Sequence, residues 1–492
     1  MKHIIRATVA ALILGTLAYA QAPQAPQGAR QGGPPPGPVA IPGVANAADP
    51  FPTAIPATDG VIRVNVVEFA SIPDVEGVAA RMMNIVTEPG TRRMFVNDMR
   101  GQIYRISEDG KTVQKYLDIN LFNVPVQAMG RERGFQSFAV HPQFNQQGSR
   151  GYGKFYTYVD TSNVTPPADF QPAPGGMETN HAVLLEWTAK TAGSPIYDGG
   201  APRELMRWRD PFQNHNGGML AFNPLAAPNS PDFGLLYMGV ADGGSGGDPL
   251  NMAQNLGIGF GKIFRIDPLG NNGRNKQYGI PASNPFVNTP GALPEIWAYG
   301  VRNPQRFAWD SRNGNIFVSD IGQNIVEEVS IATAGANLGW NVWEGSYKFL
   351  GNQAGVAIES PRSDAKVTYP VVEWGQLDPL LQSSSAAGGL VVYRDNKVPQ
   401  LSNLLLFADM PSGEVFYVSA DMLPNGGQDA IRRVLFNSGG TAKTLLELIK
   451  EKNMAQGKMP LATRVDLRMN LGPDNQIFLL NKADGVIRMV TR

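Results

Sequence analysis

The chain has 492 residues, 42 basic and 42 acidic side chains, and no cysteine. A formal net charge of zero argues against a polybasic grip on nucleic acid or on a membrane surface. The missing cysteine excludes disulfides, thiol catalysis, cysteine metal ligands and a lipid-modified N-terminal cysteine.

In chain order, residues 1–20 read as a secretory signal. Lys2 and Arg6 give a positive start, Ala7 to Leu17 an apolar run, and Ala18-Tyr19-Ala20 a small-residue cleavage site. The apolar run is short for a bilayer span. No later segment is apolar enough to cross, so no integral membrane segment is expected after cleavage. The expected location is periplasmic or secreted. Residues 21–58 are rich in Pro, Gly, Gln and Ala and predict a disordered tether without a core.

From 59 to 492 the chain shows short β-type runs separated by turn residues. One phrase, an apolar strand, a turn and a second strand, recurs six times. The copies are "NIVTEPGTRRMFVNDMRGQIYRI" from Asn84, "FQSFAVHPQF" with "GKFYTYV" from Phe135, and "GMLAFNP" with "GLLYMGVADGG" from Gly218. The others are "RFAWDSRNGNIFVSDIG" from Arg306, "GLVVYR" with "NLLLFADMPSGEVFYV" from Gly389, and "DLRMNLGPDNQIFLLNKADGVIRMV" from Asp466. Six copies predict an all-β fold, a six-bladed β-propeller over 59–492. The run "VIRVNVVEFA" at Val61 precedes them and is expected to complete the last blade. A stack of β-sandwiches would also show many short strands. The copies are further apart than ordinary propeller repeats, so the surplus falls in long loops, where sites tend to be built.

Those loops carry the chemistry. His215, in "NHNGG", is one of four histidines, and a neutral imidazole can take a hydroxyl proton. Asp242, in "VADGG", follows an apolar run and could orient such a base. Arg302 and Asn303, in "GVRNPQ", offer a fixed guanidinium for a developing oxyanion or a carboxylate. Asp320, Gly322 and Gln323, in "SDIGQN", could offer oxygens to Ca²⁺. Each has a plainer alternative: a structural histidine, a turn-forming aspartate, an interblade ion pair. "GIGFGKIF" from Gly257 looks like a phosphate loop, but Ile263 replaces the Ser/Thr and the spacing is wrong.

Four phrases resemble the glucose/sorbosone dehydrogenase family of soluble quinoprotein sugar dehydrogenases. They are "RERGFQSFAVHPQF", "HNGGMLAFNP" continuing to "DPLNMAQNLGIGFGKIFRID", "PEIWAYGVRNPQRFAWD" and "DIGQNIVEEVSIATAGANLGWNVWEG". The resemblance implies pyrroloquinoline quinone (PQQ) and Ca²⁺ as cofactors. It implies His215 as catalytic base, Asp242 as its partner, and Arg302 and Asn303 against the quinone. The carbonyls of Gly322 and Gln323 would face the calcium, and Glu132 the sugar. The family's lysine in the fifth copy and paired arginines before the sixth are not matched: "ADMPSGEV" and "TRVDLRMN" stand there. Arg394, Arg464, Arg468 or Lys458 would have to replace that cationic clamp, Arg394 first among them.

The expectation is therefore an exported oxidoreductase that converts an aldose at C1 to the lactone and passes electrons to an acceptor the sequence does not identify. The alternatives are a non-catalytic, calcium-stabilised propeller binding a glycan or a protein, and a metal-dependent propeller lactonase.

Overall fold

The computed structural model describes residues 49–128, 130, 132–177, 180–352, 354–381 and 384–492. The expected signal and the expected tether up to residue 48 lie outside the described residues. Residues 49–58, the end of that stretch, are docked onto the fold. Phe51 and Ile55 are buried, the Ile55 N–H donates to Asp378 Oδ2 at 2.7 Å, and Phe51 meets Tyr347 edge-on. Two large apolar side chains in this proline- and alanine-rich run find a hydrophobic seat.

Consecutive strands form four-stranded antiparallel sheets over 82–118, 135–210 and 220–299, and a fourth from 304–332 plus Val372–Gly375. A nine-stranded sheet follows. It contains one meander of four strands over 387–438 and a second of Arg468–Leu471, Ile477–Leu480 and Val486–Thr491. Strand Ile62–Ser71 pairs antiparallel with Val486–Thr491, as its position before the first copy suggested. It also pairs in parallel with 434–437, which joins the two meanders. Trp343–Glu344, Tyr347–Gly351 and Gly355–Ala357 make a separate three-stranded sheet. The α-helix among the described residues, Leu445–Ala455, opens with a capping box of Thr444 and Glu447.

The inner strands are continuous apolar runs rather than alternating ones because both faces are covered. "LYMGV" and "KIFRI" are buried at every position. Strand Ile62–Ser71 instead leaves most of its side chains partly or fully exposed. Each main core lies between consecutive sheets: Phe95 with Phe155, Trp208 with Phe264, Tyr237 with Phe307, Phe317 with Phe407, and Leu406 with Leu479. The next such core packs Phe478 and Leu480 against Met82 and Val96, back on the first sheet.

The first strands of the sheets meet at a common centre. Asn84 donates to Ser137 Oγ (3.3 Å), the Leu220 N–H to the same oxygen (3.0 Å), and Asn470 to Asn84 Oδ1 (2.8 Å). Gly218 is required there, because a Cβ would lie 1.6 Å from the Pro304 carbonyl oxygen.

Candidate functional site

Loops at one end of these first strands bring the predicted residues together. His215 precedes strand Leu220–Phe222 in a left-handed conformation (φ 57°) that few side chains other than glycine adopt. Its backbone N–H is held by Glu132 Oε2 at 2.6 Å. Its Nδ1 lies 2.6 Å from Asp242 Oδ1. A carboxylate can only accept, so the neutral ring carries its proton on Nδ1 and presents a lone pair at Nε2. Both side chains are buried.

Asp242 lies just past the apolar strand Leu236–Val240 and is fully buried. Its Oδ1 also accepts the Gly244 N–H (3.0 Å), and its Oδ2 accepts Trp340 Nε1–H (2.8 Å). Burial pushes the carboxyl pKa up. The charge of His215 when it is protonated, its hydrogen bond, the Arg302 charge and the Gly244 N–H outweigh that and hold it below the usual range.

Arg302 is fixed from three sides. Its backbone carbonyl accepts the Asp242 N–H (2.8 Å). Nε donates to Gln323 Oε1 and Nη1 to the Ile321 carbonyl, each at 3.0 Å. The guanidinium stands 5.7 Å from the centre of the Trp340 ring. Asp320 accepts the backbone N–H groups of both Arg302 (2.8 Å) and Asn303 (2.6 Å). The Asp320 carboxyl is thus spent on shaping the turn rather than offered to a cation, and burial raises its pKa to about 6.

Gln323 Oε1 also accepts the Gly247 N–H at 2.9 Å, which ties the Gly-rich loop after Asp242 to this side. Gly322 must be glycine, because a Cβ would lie 1.5 Å from the Val326 carbonyl oxygen. The carbonyls of Gly322 and Gln323 accept no backbone hydrogen bond among the described residues, which leaves both available to a cation. No group of three or more His, Asp or Glu among the described residues could hold a metal through side chains alone.

The expected replacements for the cationic clamp divide. Arg394 is not brought to this group, and the direction of its strand explains why. Strand Ala387–Tyr393 starts at the site end, where the Ala387 N–H donates to Glu327 Oε2 and the same oxygen accepts the Gly322 N–H. Arg394 lies past its other end, about 20 Å away at 3.3 Å per residue. There it is paired with Asp310 and Asp421, each at 2.6 Å. Lys458 lies exposed beyond the helix. Arg464 and Arg468 do lie at the site end. Arg464 Nε donates to Asp466 Oδ1 at 2.8 Å. Arg468 reaches Gln305 Oε1 at 3.1 Å, and Gln305 donates to Asn303 Oδ1 and to the Gly217 carbonyl, each at 3.1 Å. Half-buried Lys482 and Arg81 also feel the charge of Asp466. Arg464, Arg468 and Lys482 share Asp466, while Arg81 is divided between Asp466 and Asp98, so basic groups outnumber carboxylates at this end.

Two roles escaped sequence reasoning. Trp340, within "ANLGWNVWEG", pins Asp242 and covers Arg302, although 98 residues separate it from Asp242. Lys262, within "GIGFGKIF", holds backbone rather than phosphate. It is buried and donates to the carbonyls of Met252 (2.9 Å), Ala253 (2.8 Å) and Phe260 (2.6 Å), which fastens the loop after Asp242 to its own strand. Burial lowers its pKa to about 7.

The family profile of Glucose / Sorbosone dehydrogenase matches residues 81–438. The HIPL1 protein of Arabidopsis thaliana is 29% identical over 395 residues, 72% of this chain and 54% of that protein. The aldose sugar dehydrogenase YliI of Escherichia coli is 28% identical over 212 residues, 42% of this chain and 48% of that one. The Hedgehog-interacting protein of Mus musculus is 26% identical over 232 residues, 47% of this chain and 30% of that one. The chain therefore spans about half the length, or less, of these curated relatives. The PQQ-bound form of an aldose sugar dehydrogenase from Streptomyces coelicolor superposes with a TM-score of 0.54 at 16% identity, covering 89% of this chain and 99% of that one. At that identity the likeness is one of fold.

Proposed function

Because the chain belongs to the glucose/sorbosone dehydrogenase family and brings His215, Asp242 and Arg302 together, we propose that it is a PQQ- and Ca²⁺-dependent aldose dehydrogenase on a six-bladed propeller, acting outside the cytoplasm. The observation that carries the reading is the 2.6 Å contact between His215 Nδ1 and Asp242 Oδ1, which leaves Nε2 as a base. The propeller reading is supported by cores that pass from sheet to sheet and return to the first. The apolar start of the sequence supports export.

In this reading His215 Nε2 takes the proton of the sugar C1 hydroxyl. Asp242 stabilises the imidazolium that results, and Trp340 keeps Asp242 from turning. Arg302 keeps Nη2 for negative charge that develops beside the base. Glu132 holds the His215 backbone at the mouth of the site. PQQ, when bound, supplies the acceptor for the hydride leaving C1, so the alcohol is oxidised to the lactone by two electrons. Asn303, Arg464 and Lys482 would face its polar edge, and the carbonyls of Gly322 and Gln323 would face Ca²⁺. Equilibrium titration of apoprotein with PQQ at saturating Ca²⁺ tests this. Micromolar or tighter binding supports the assignment, and no detectable binding by folded protein overturns it.

The relatedness to the Hedgehog-interacting protein favours a second reading, a calcium-stabilised propeller that binds a glycan or a protein without catalysis. A folded chain that fails the PQQ titration would point there.

A further inference from the structure

Below the site, two arginines from the first strands fill the centre of the molecule. Arg306 and Arg468 are only 1% and 3% exposed. Arg306 donates from Nη1 to the Gln305 carbonyl at 3.0 Å and from Nη2 to the Met83 carbonyl on the first sheet. Arg468 donates from Nη2 to Gln305 Oε1 at 3.1 Å and from Nη1 to the Leu467 carbonyl at 3.2 Å, and Nη1 also touches Met410 Sδ. Every one of these acceptors is neutral. The Nε–H of each arginine is buried and has no hydrogen-bond partner among the described residues.

Neutral acceptors satisfy hydrogen bonds but leave the charge. A buried lysine can lose its proton to escape the desolvation penalty, whereas a guanidinium does not deprotonate in proteins. Both arginines bond Gln305, so two buried cations share one neighbourhood and call for a counter-charge. The fold does not supply enough. The charge acting on Arg306 is that of Arg468, of the same sign. Asp466 acts on Arg468 but is shared with Arg464, Lys482 and Arg81.

We propose that the centre of the molecule holds a small monovalent anion of halide size between the free Nε–H groups of Arg306 and Arg468. The size follows from the donors. Two single N–H groups suit a monatomic acceptor, while a phosphate or sulfate would need more donors than remain. Gln305 ties the anion site to Asn303 and to the Gly217 carbonyl beside His215, so the ion would stiffen the floor of the site. This inference does not depend on the quinone reading.

Crystals grown in bromide test it directly. An anomalous bromine peak in contact with both Nε atoms is expected, and an empty centre in bromide-grown crystals overturns the proposal. Thermal melting at constant ionic strength provides a second readout. Replacing a large organic anion by bromide should raise the wild-type midpoint by about 2 °C or more and should leave Arg306→Met unmoved. An equal rise in a folded Arg306→Met protein also overturns it.

Discussion

Arg302 and Arg394 stand at opposite ends of the same set of inner strands, and they are built differently. Arg394 donates from Nε, Nη1 and Nη2 and meets two carboxylates, Asp310 and Asp421. Nothing of that guanidinium is left for a ligand. Arg302 donates from Nε and Nη1 to an amide and a carbonyl, both neutral, and sits over a tryptophan. One arginine completes a structural ion network. The other is fixed in place and makes no direct ion pair among the described residues. That difference separates a scaffold end from the end that carries His215 and Asp242 more clearly than residue type does.

Mutations at the two ends should separate in the same way. The largest effect is expected at His215. In PQQ- and Ca²⁺-loaded protein, His215→Ala should lower turnover in a dye-coupled aldose assay by about 10²- to 10⁴-fold, the scale of a lost general base, while circular dichroism stays unchanged. Near-wild-type turnover would remove His215 from the mechanism. Asp242→Asn should cost about 10- to 100-fold, because an amide no longer stabilises the imidazolium. Arg394→Ala should leave turnover per folded molecule unchanged and lower stability by about 3 kcal/mol, since buried Asp310 loses its partner. A loss of turnover there without a loss of stability would erase the contrast between the ends.

The smallest effect concerns pH. Burial raises the Asp320 pKa from 3.8 to about 6 in the folded state. The folded protein therefore holds this proton more tightly than the unfolded chain. The resulting stability is present at low pH and is lost as pH rises from about 4 to about 6. Asp320→Asn should flatten that part of the urea midpoint against pH, and an unchanged slope would show that Asp320 is not its source.

The sequence was most legible where chemistry and turns coincide. "NHNGG", "VADGG" and "GVRNPQ" put His215, Asp242 and Arg302 in loops that begin or end inner strands, and those loops meet. The repeat phrases likewise marked the starts of the sheets. Arg394 was misplaced because an apolar strand ending in arginine reads the same whichever end of the molecule it points to. Its direction is set by Ala387 pairing at the site end. The contacts of Trp340 and Arg306 were not legible because their neighbours come from distant parts of the chain. The phrase "RNPQRF" gives no sign that Arg306 reaches the Met83 carbonyl. Phe51 and Ile55 were hidden within a proline-rich composition that only a hydrophobic seat on the fold could override.

Catalysis by His215 on a bound quinone is tested most directly by aldose-dependent dye reduction, measured on purified wild-type protein before and after loading with PQQ and Ca²⁺. Activity is predicted to appear on loading, to depend on both additions and to be lost in His215→Ala. Loaded, folded wild-type protein that reduces no dye with any aldose tested, or that does so no better than His215→Ala, would contradict it.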